Sequence, residues 1–167
     1  MAWFSRKDRP ADARGGVEDP EPEVDDGPAE PILRARIERL GVEEQQRVAR
    51  GRTALERAGI DVDDLSALGA AYDAAATAYQ SGRKSEREDE REIVERFSIG
   101  IGDHLHRNTD LSWSRVTDAF GTDLAVAGGK DEFVVVPGNL VAARWMNAET
   151  GWLPGVVAHL VRVRAER

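Results

Sequence analysis

The chain has 167 residues, with 23 Lys and Arg against 31 Asp and Glu, and a net charge of −8 at pH 7. That is enough chain for one domain with a real core plus a tail. The acidic balance argues against broad nucleic-acid binding, because neutralising phosphates needs a basic surface. There is no cysteine, so a disulfide framework, a thiolate zinc site and a cysteine nucleophile are excluded. Nothing approaches the ~18 consecutive apolar residues of a membrane span, and residues 1–14 lack the apolar stretch of a secretory signal. A cytoplasmic protein is expected, and the Ala-, Arg-, Asp- and Glu-rich vocabulary points to a high-GC bacterium.

Residues 1–29 read as a disordered acidic tail. Glu18–Glu30, EDPEPEVDDGPAE, holds seven acidic residues and three prolines with only Val24 as a large apolar side chain. Such a segment cannot bury enough surface to offset its ordering entropy. The start differs: Trp3 and Phe4 stand beside Arg6, Lys7 and Arg9. Aromatics next to cations suit a partner's docking groove, or weak contact with a membrane surface through Trp3, Phe4 and Arg6.

Residues 30–167 read as a single α+β domain, with a helical leader over 30–82. Pro31 suits a first helical position, and Ile32, Leu33, Ile37 and Leu40 form one helical stripe before Gly41. Val42–Ala58 continues as a charged amphipathic helix with Val48, Leu55 and Ala58 buried, closed by Gly59 as a C′ glycine. Asp61 or Asp63 caps the next helix, whose stripe is Leu65, Leu68, Tyr72, Ala75 and Tyr79. Arg83–Glu92 is a run of alternating charge and reads as a solvated helix face.

Residues 87–167 read as an α-βββ-αα unit. Ile93, Val94, Phe97, Ile101 and Leu105 form a buried helical stripe interrupted by Gly100 and Gly102. Each glycine costs about 1 kcal/mol of helix stability relative to alanine, and glycines so placed permit a backbone or ring to approach closely. An antiparallel three-stranded meander follows. Leu111–Thr117 alternates, Ala119–Phe120–Gly121 turns, and Thr122–Ala127 returns with Leu124 and Val126 inward. Gly128–Gly129–Lys130–Asp131 is a hairpin signal, and Glu132–Val136 is a strand. Pro137–Gly138–Asn139 breaks the strand before a short helix at Leu140–Met146. Thr150 caps the last helix, with Pro154 in its first turn and Leu153, Val156, Val157, Leu160 and Val161 as its stripe.

Reaction chemistry is sparse. Asp103, His104 and His106 spell D-H-x-H, but on a helix i and i+2 point about 200° apart and share an ion poorly. A helical zinc pair needs i, i+4 spacing and a third ligand, so both histidines are assigned structural or solvent-facing roles and no metal is expected. Gly100-x-Gly102 does not complete a dinucleotide loop, and Gly128–Gly129–Lys130 does not complete a phosphate loop. Ser112 and Ser114 have no identifiable base. The carboxylates could supply a hydrolase pair, yet they are equally what an acidic surface contains. No catalytic residue and no cofactor are assigned. The aromatics Trp113, Trp145 and Trp152 either pack the core or line a pocket.

From Ile99 to about residue 160 the chain resembles the bacterial domain-of-unknown-function family DUF3806. The corresponding residues are Gly100 or Gly102, Trp113, Asp118–Gly121, Pro137 and Arg144. The resemblance implies an α+β architecture and brings no activity, cofactor or substrate. Two functions follow as expectations. The first is a non-enzymatic interaction or regulatory protein with a protein partner. The second is a small-molecule-binding domain or weak enzyme with a pocket near Trp113, Asp118 and Arg144. The residues expected to touch a partner or ligand are Trp3, Phe4, Trp113, Asp118, Arg144, Trp145 and Trp152.

Overall fold

The chain divides into two units, residues 1–31 and 32–167. The computed structural model describes residues 35–129 and 133–166, all in the second unit. Trp3, Phe4, Arg6 and the acidic tail therefore lie outside the described residues, as do Lys130 and Asp131 of the expected hairpin turn. A short strand β1 (Arg36–Arg39) leads into helices α1 (Val42–Arg57) and α2 (Leu65–Ser81). After a 3₁₀ turn at Lys84–Glu86 come α3 (Glu90–Asn108) and the strands β2 (Ser112–Asp118), β3 (Gly121–Gly128) and β4 (Phe133–Val135). Helices α4 (Pro137–Met146) and α5 (Leu153–Ala165) complete it.

The α+β class agrees with the periodicity, but the sheet has four antiparallel strands, ordered β1-β2-β3-β4, where three were expected. The extra strand comes from the stretch read as the first helix. Pro31, Ile32 and Leu33 of that expected helix lie outside the described residues; Ile37 is 37% exposed, and the backbone around it pairs with β2, Arg36 opposite Thr117 and Arg39 opposite Ser114. Cross-strand chemistry supports the register: Glu38 lies opposite Arg115, whose Nη2 donates to Glu38 Oε2 at 3.0 Å. Long-range pairing of this kind overrides local helical periodicity.

Helix ends follow capping chemistry, with shifts from the expected residues. Gly59, at φ +67°, closes α1: its N–H donates to Glu56 O and that of Ile60 to Leu55 O, both at 3.0 Å. These are the two bonds of a Schellman motif. Ala58 is the C-cap of α1 and exposed, so it is not a core position. Asp64, rather than Asp61 or Asp63, caps α2 by accepting from the Ala67 N–H at 3.0 Å. Asp61 instead holds the preceding turn through the Asp63 N–H. The charge run is exposed as expected, but before Glu90 its only regular structure is the 3₁₀ turn and not an α-helix. Thr150 caps nothing; the N-cap of α5 is Trp152, without a side-chain bond. The strand ends before Pro137 as expected, and Pro137 also opens α4, three residues ahead of the expected start at Leu140, because its missing N–H costs nothing at a first helical position.

Helix α3 runs through the middle of the core. Ile93, Phe97, Ile99, Ile101 and Leu105 are all buried, and α1, α2, α4, α5 and the sheet all pack against it. At Gly100 an added Cβ would stand 2.9 Å from Leu68 Cδ1, so α2 rests directly on the α3 backbone.

The end of α4 carries a strained residue. Ala148 has φ +54°, while its N–H donates to Trp145 O at 3.0 Å and that of Glu149 to Arg144 O at 2.9 Å. A left-handed non-glycine costs roughly 1–2 kcal/mol, partly offset by the greater unfolded freedom of glycine. Ala148→Gly is therefore expected to stabilise the protein by about 0.5–1 kcal/mol. A lower urea midpoint would contradict this.

Candidate functional site

Two constellations stand out. The first is built on Asp103, which α3 places inside the core with only 1% of its side chain exposed. Arg52 of α1 meets it with two parallel bonds, Nε to Oδ2 at 2.7 Å and Nη2 to Oδ1 at 2.6 Å. Trp113 of β2 donates its indole Nε1–H to Oδ1 at 2.9 Å. Burial pushes this carboxyl up, but the Arg52 and Trp113 hydrogen bonds and the Arg52 charge outweigh burial and hold it below its ordinary range. Asp103 is thus a fixed anion with three donors rather than a general acid.

Gly102 makes this arrangement possible. A Cβ there would lie 2.2 Å from Trp113 Cη2 and 2.3 Å from Cζ2. The bare backbone lets the indole lie against α3 with its N–H on the neighbouring aspartate. Beside Asp103 opens a cavity of about 230 Å³, whose lining includes Arg52, Glu56, Asp61, Val62 and Arg107. Both arginines are engaged, Arg52 by Asp103 and Arg107 by Asp63 at 2.9 Å. The adjacent histidines are held by backbone carbonyls. His104 Nδ1 lies 2.8 Å from Val62 O, and His106 Nδ1 lies 2.8 Å from Leu111 O. Among the described residues no group of three or more His, Asp or Glu could hold a metal ion.

The second constellation is an aromatic cleft where the C-terminal turns of α2 and α4 meet the first turn of α3. It encloses about 260 Å³ and is lined by Ala76, Tyr79, Gln80, Glu90, Trp145, Met146 and Ala148. The Tyr79 and Trp145 rings meet edge to face, centroids 5.2 Å apart and planes at 61°. The Tyr79 hydroxyl donates to Glu90 Oε2 at 2.9 Å, a bond that pushes the phenol up. Met146 is 78% exposed. On the rim, the Arg87 guanidinium lies 4.9 Å from the Tyr79 ring centroid.

The expected contact residues separate. Trp145 walls the cleft, with its ring also 6.0 Å from the buried Tyr72 ring. Trp152 stacks edge-on against Tyr72 at 5.4 Å and carries the Arg144 guanidinium 4.5 Å above its ring. Asp118 accepts from the Phe120 N–H at 2.7 Å and fixes the β2–β3 turn. Trp113 is spent on Asp103. Trp113, Asp118 and Arg144 therefore each have their own partners.

Several elements quoted for the resemblance have visible work here: the Gly102–Trp113 contact, the turn tied by Asp118, and Pro137 opening α4. Residues 72–154 match the family DUF3806, described as a domain of unknown function. The chain carries a DUF3806 domain. Its match starts earlier than Ile99, within α2, and so takes in part of the stretch read as a leader. No curated protein and no solved structure matches the chain. Every residue lining the aromatic cleft falls inside the DUF3806 domain, as do Asp103 and Trp113, while Arg52 lies outside it. Among the described residues no helix is long and apolar enough to cross a membrane.

Sequence reasoning passed over Arg52, Asp103, Tyr79 and Glu90 as site residues. For Asp103 a signal was present: an acid directly after Gly102, between the core residues Ile101 and Leu105. Arg52 gave none, being 51 residues away.

Proposed function

We propose that this is a non-enzymatic interaction protein whose DUF3806 domain docks a protein partner through the cleft of Tyr79, Trp145 and Met146. The observation that carries this reading is an exposed methionine beside two aromatic walls, with polar Gln80 and Glu90 in the same lining. Apolar anchors within a polar surround are what binding hot spots are made of. The strongly held anion Asp103, by contrast, already accepts from three donors, which suits a structural tie better than a proton-transfer role. Composition supports placing the protein in the bacterial cytoplasm, with the tail around Trp3 and Phe4 as a second contact. The small-molecule alternative near Trp113, Asp118 and Arg144 has no comparable observation behind it.

Affinity capture with full-length protein tests the proposal. Met146→Asp is expected to lose a captured partner while keeping its circular dichroism. Phe120→Ser, which alters a 98% exposed hairpin-tip residue, is expected to keep it. Capture that survives Met146→Asp, or that is lost only with Phe120→Ser, would overturn the assignment of the docking surface.

A further inference from the structure

We infer that the aromatic cleft recognises a cation, and specifically an arginine side chain presented by the protein partner. The inference rests on the docking reading above and names its chemistry. Four features of the cleft draw positive charge. The Tyr79 and Trp145 rings meet at an angle, and aromatic faces attract cations through their quadrupole, tryptophan most strongly. The Glu90 carboxylate lies in the lining, held in place by the Tyr79 hydroxyl. Tyr79 and Gln80 belong to the last turn of α2, and Trp145 and Met146 to the last turn of α4. Each helix end brings roughly half an elementary negative charge. Finally, no Lys, Arg or His lines the cavity itself; the cation on the rim, Arg87, offsets part of the α2 end but leaves Trp145 and the α4 end without a cation in the lining.

The rim already displays the chemistry. Arg87 places its guanidinium over Tyr79 and donates from Nε to Gly82 O at 3.1 Å and from Nη2 to Gln80 O at 3.4 Å. A guanidinium on an aromatic ring with its N–H groups on helix-end carbonyls is the arrangement a partner arginine would repeat inside the cleft. Guanidinium suits it better than ammonium because it is planar, more weakly hydrated and able to stack. Met146 would flank the aliphatic stem of such a side chain. The chain's net charge of −8 adds a long-range attraction for basic partners.

The test is a two-dimensional ¹H–¹⁵N NMR titration of the full-length protein with three blocked tripeptides. They are acetyl-Gly-Arg-Gly-amide, its citrulline counterpart and its leucine counterpart. Citrulline keeps the shape of arginine and removes the charge. The arginine peptide is expected to shift the Trp145 indole and the Gln80 and Ala148 amides, binding about fivefold or more tightly than the citrulline peptide. Glu90→Gln, which keeps an acceptor for Tyr79, is expected to weaken the arginine peptide about threefold and leave the citrulline peptide unchanged. Equal binding of arginine and citrulline, or preferential binding of leucine, would leave the docking reading standing and overturn the cation assignment. No movement of these resonances with any peptide would overturn both.

Discussion

Arg52→Met is expected to destabilise the protein by about 3 kcal/mol at neutral pH. That is the low end of the range for breaking a buried ion pair, because Arg52 is itself 42% exposed and water would reach the vacated position. Methionine keeps most of the apolar stem, so the loss reports on the charge and the two hydrogen bonds rather than on packing. The pH dependence separates these causes. In the native protein the Asp103 carboxyl is held below its ordinary value of 3.8. Its contribution is therefore present above that value and lost as pH falls through the lower folded value. In Arg52→Met, burial would be opposed mainly by the Trp113 N–H, and the folded carboxyl would rise above its unfolded value. Its contribution would then be lost as pH rises through the raised folded value, so the variant would recover on acidification. Urea unfolding of both proteins between about pH 7 and pH 4 should show the stability gap narrowing as pH falls. A gap that stays constant would mean that Asp103 does not depend on Arg52.

Gly102→Ala is expected to cost at least about 3 kcal/mol, although in an unhindered helix the same change would gain about 1 kcal/mol. The new methyl would need the space of Trp113 Cη2 and Cζ2. The indole is rigid, and moving it would break its bond to Asp103. Overpacking, a lost hydrogen bond and a less satisfied buried anion would then come together. Shortening the obstructing side chain should relieve the clash. Trp113→Leu alone is expected to destabilise by a few kcal/mol. Gly102→Ala added to Trp113→Leu should then cost little or become favourable. Chemical denaturation of the four proteins in this double-mutant cycle measures the coupling. Additive losses would show that Gly102 is not reserved for the Trp113 ring.

The legible parts of this fold were those with local causes. The α3 stripe, the Gly59 cap, the two-residue turn before Gly121 and the apolar face of α5 each follow from spacing or from one residue's backbone preference. The parts that escaped depend on partners distant in sequence. β1 is a strand because β2 runs beside it, and Arg36–Arg39 alone has too few apolar positions to announce a sheet. Asp103 reads as one more acid in a charged chain until Arg52 and Trp113 are set on either side of it. The cleft shows the same division. Trp145 was noticeable as a large aromatic, whereas Tyr79 looked like a stripe residue and Glu90 like part of a charge run. Only the meeting of two helix ends with the start of a third gives those residues a common task.

The long separation in sequence between β1 and the strand it pairs with bears on the cell's quality control. The contacts of β1 with β2 span a large part of the chain; the Glu38–Arg115 bond closes a separation of 77 residues. The β2–β3 hairpin is closed by two residues and can assemble quickly, whereas pairing across so long a loop is slow to form and readily lost. While β1 is away, β2 offers an unpaired row of backbone donors and acceptors, a template on which two copies of the chain could join. Once seated, β1 covers that row and turns a four-residue strand of Arg, Ile, Glu and Arg outward. A short, charged border discourages further strand addition, so the least hydrophobic strand of the sheet also serves as its guard against self-association.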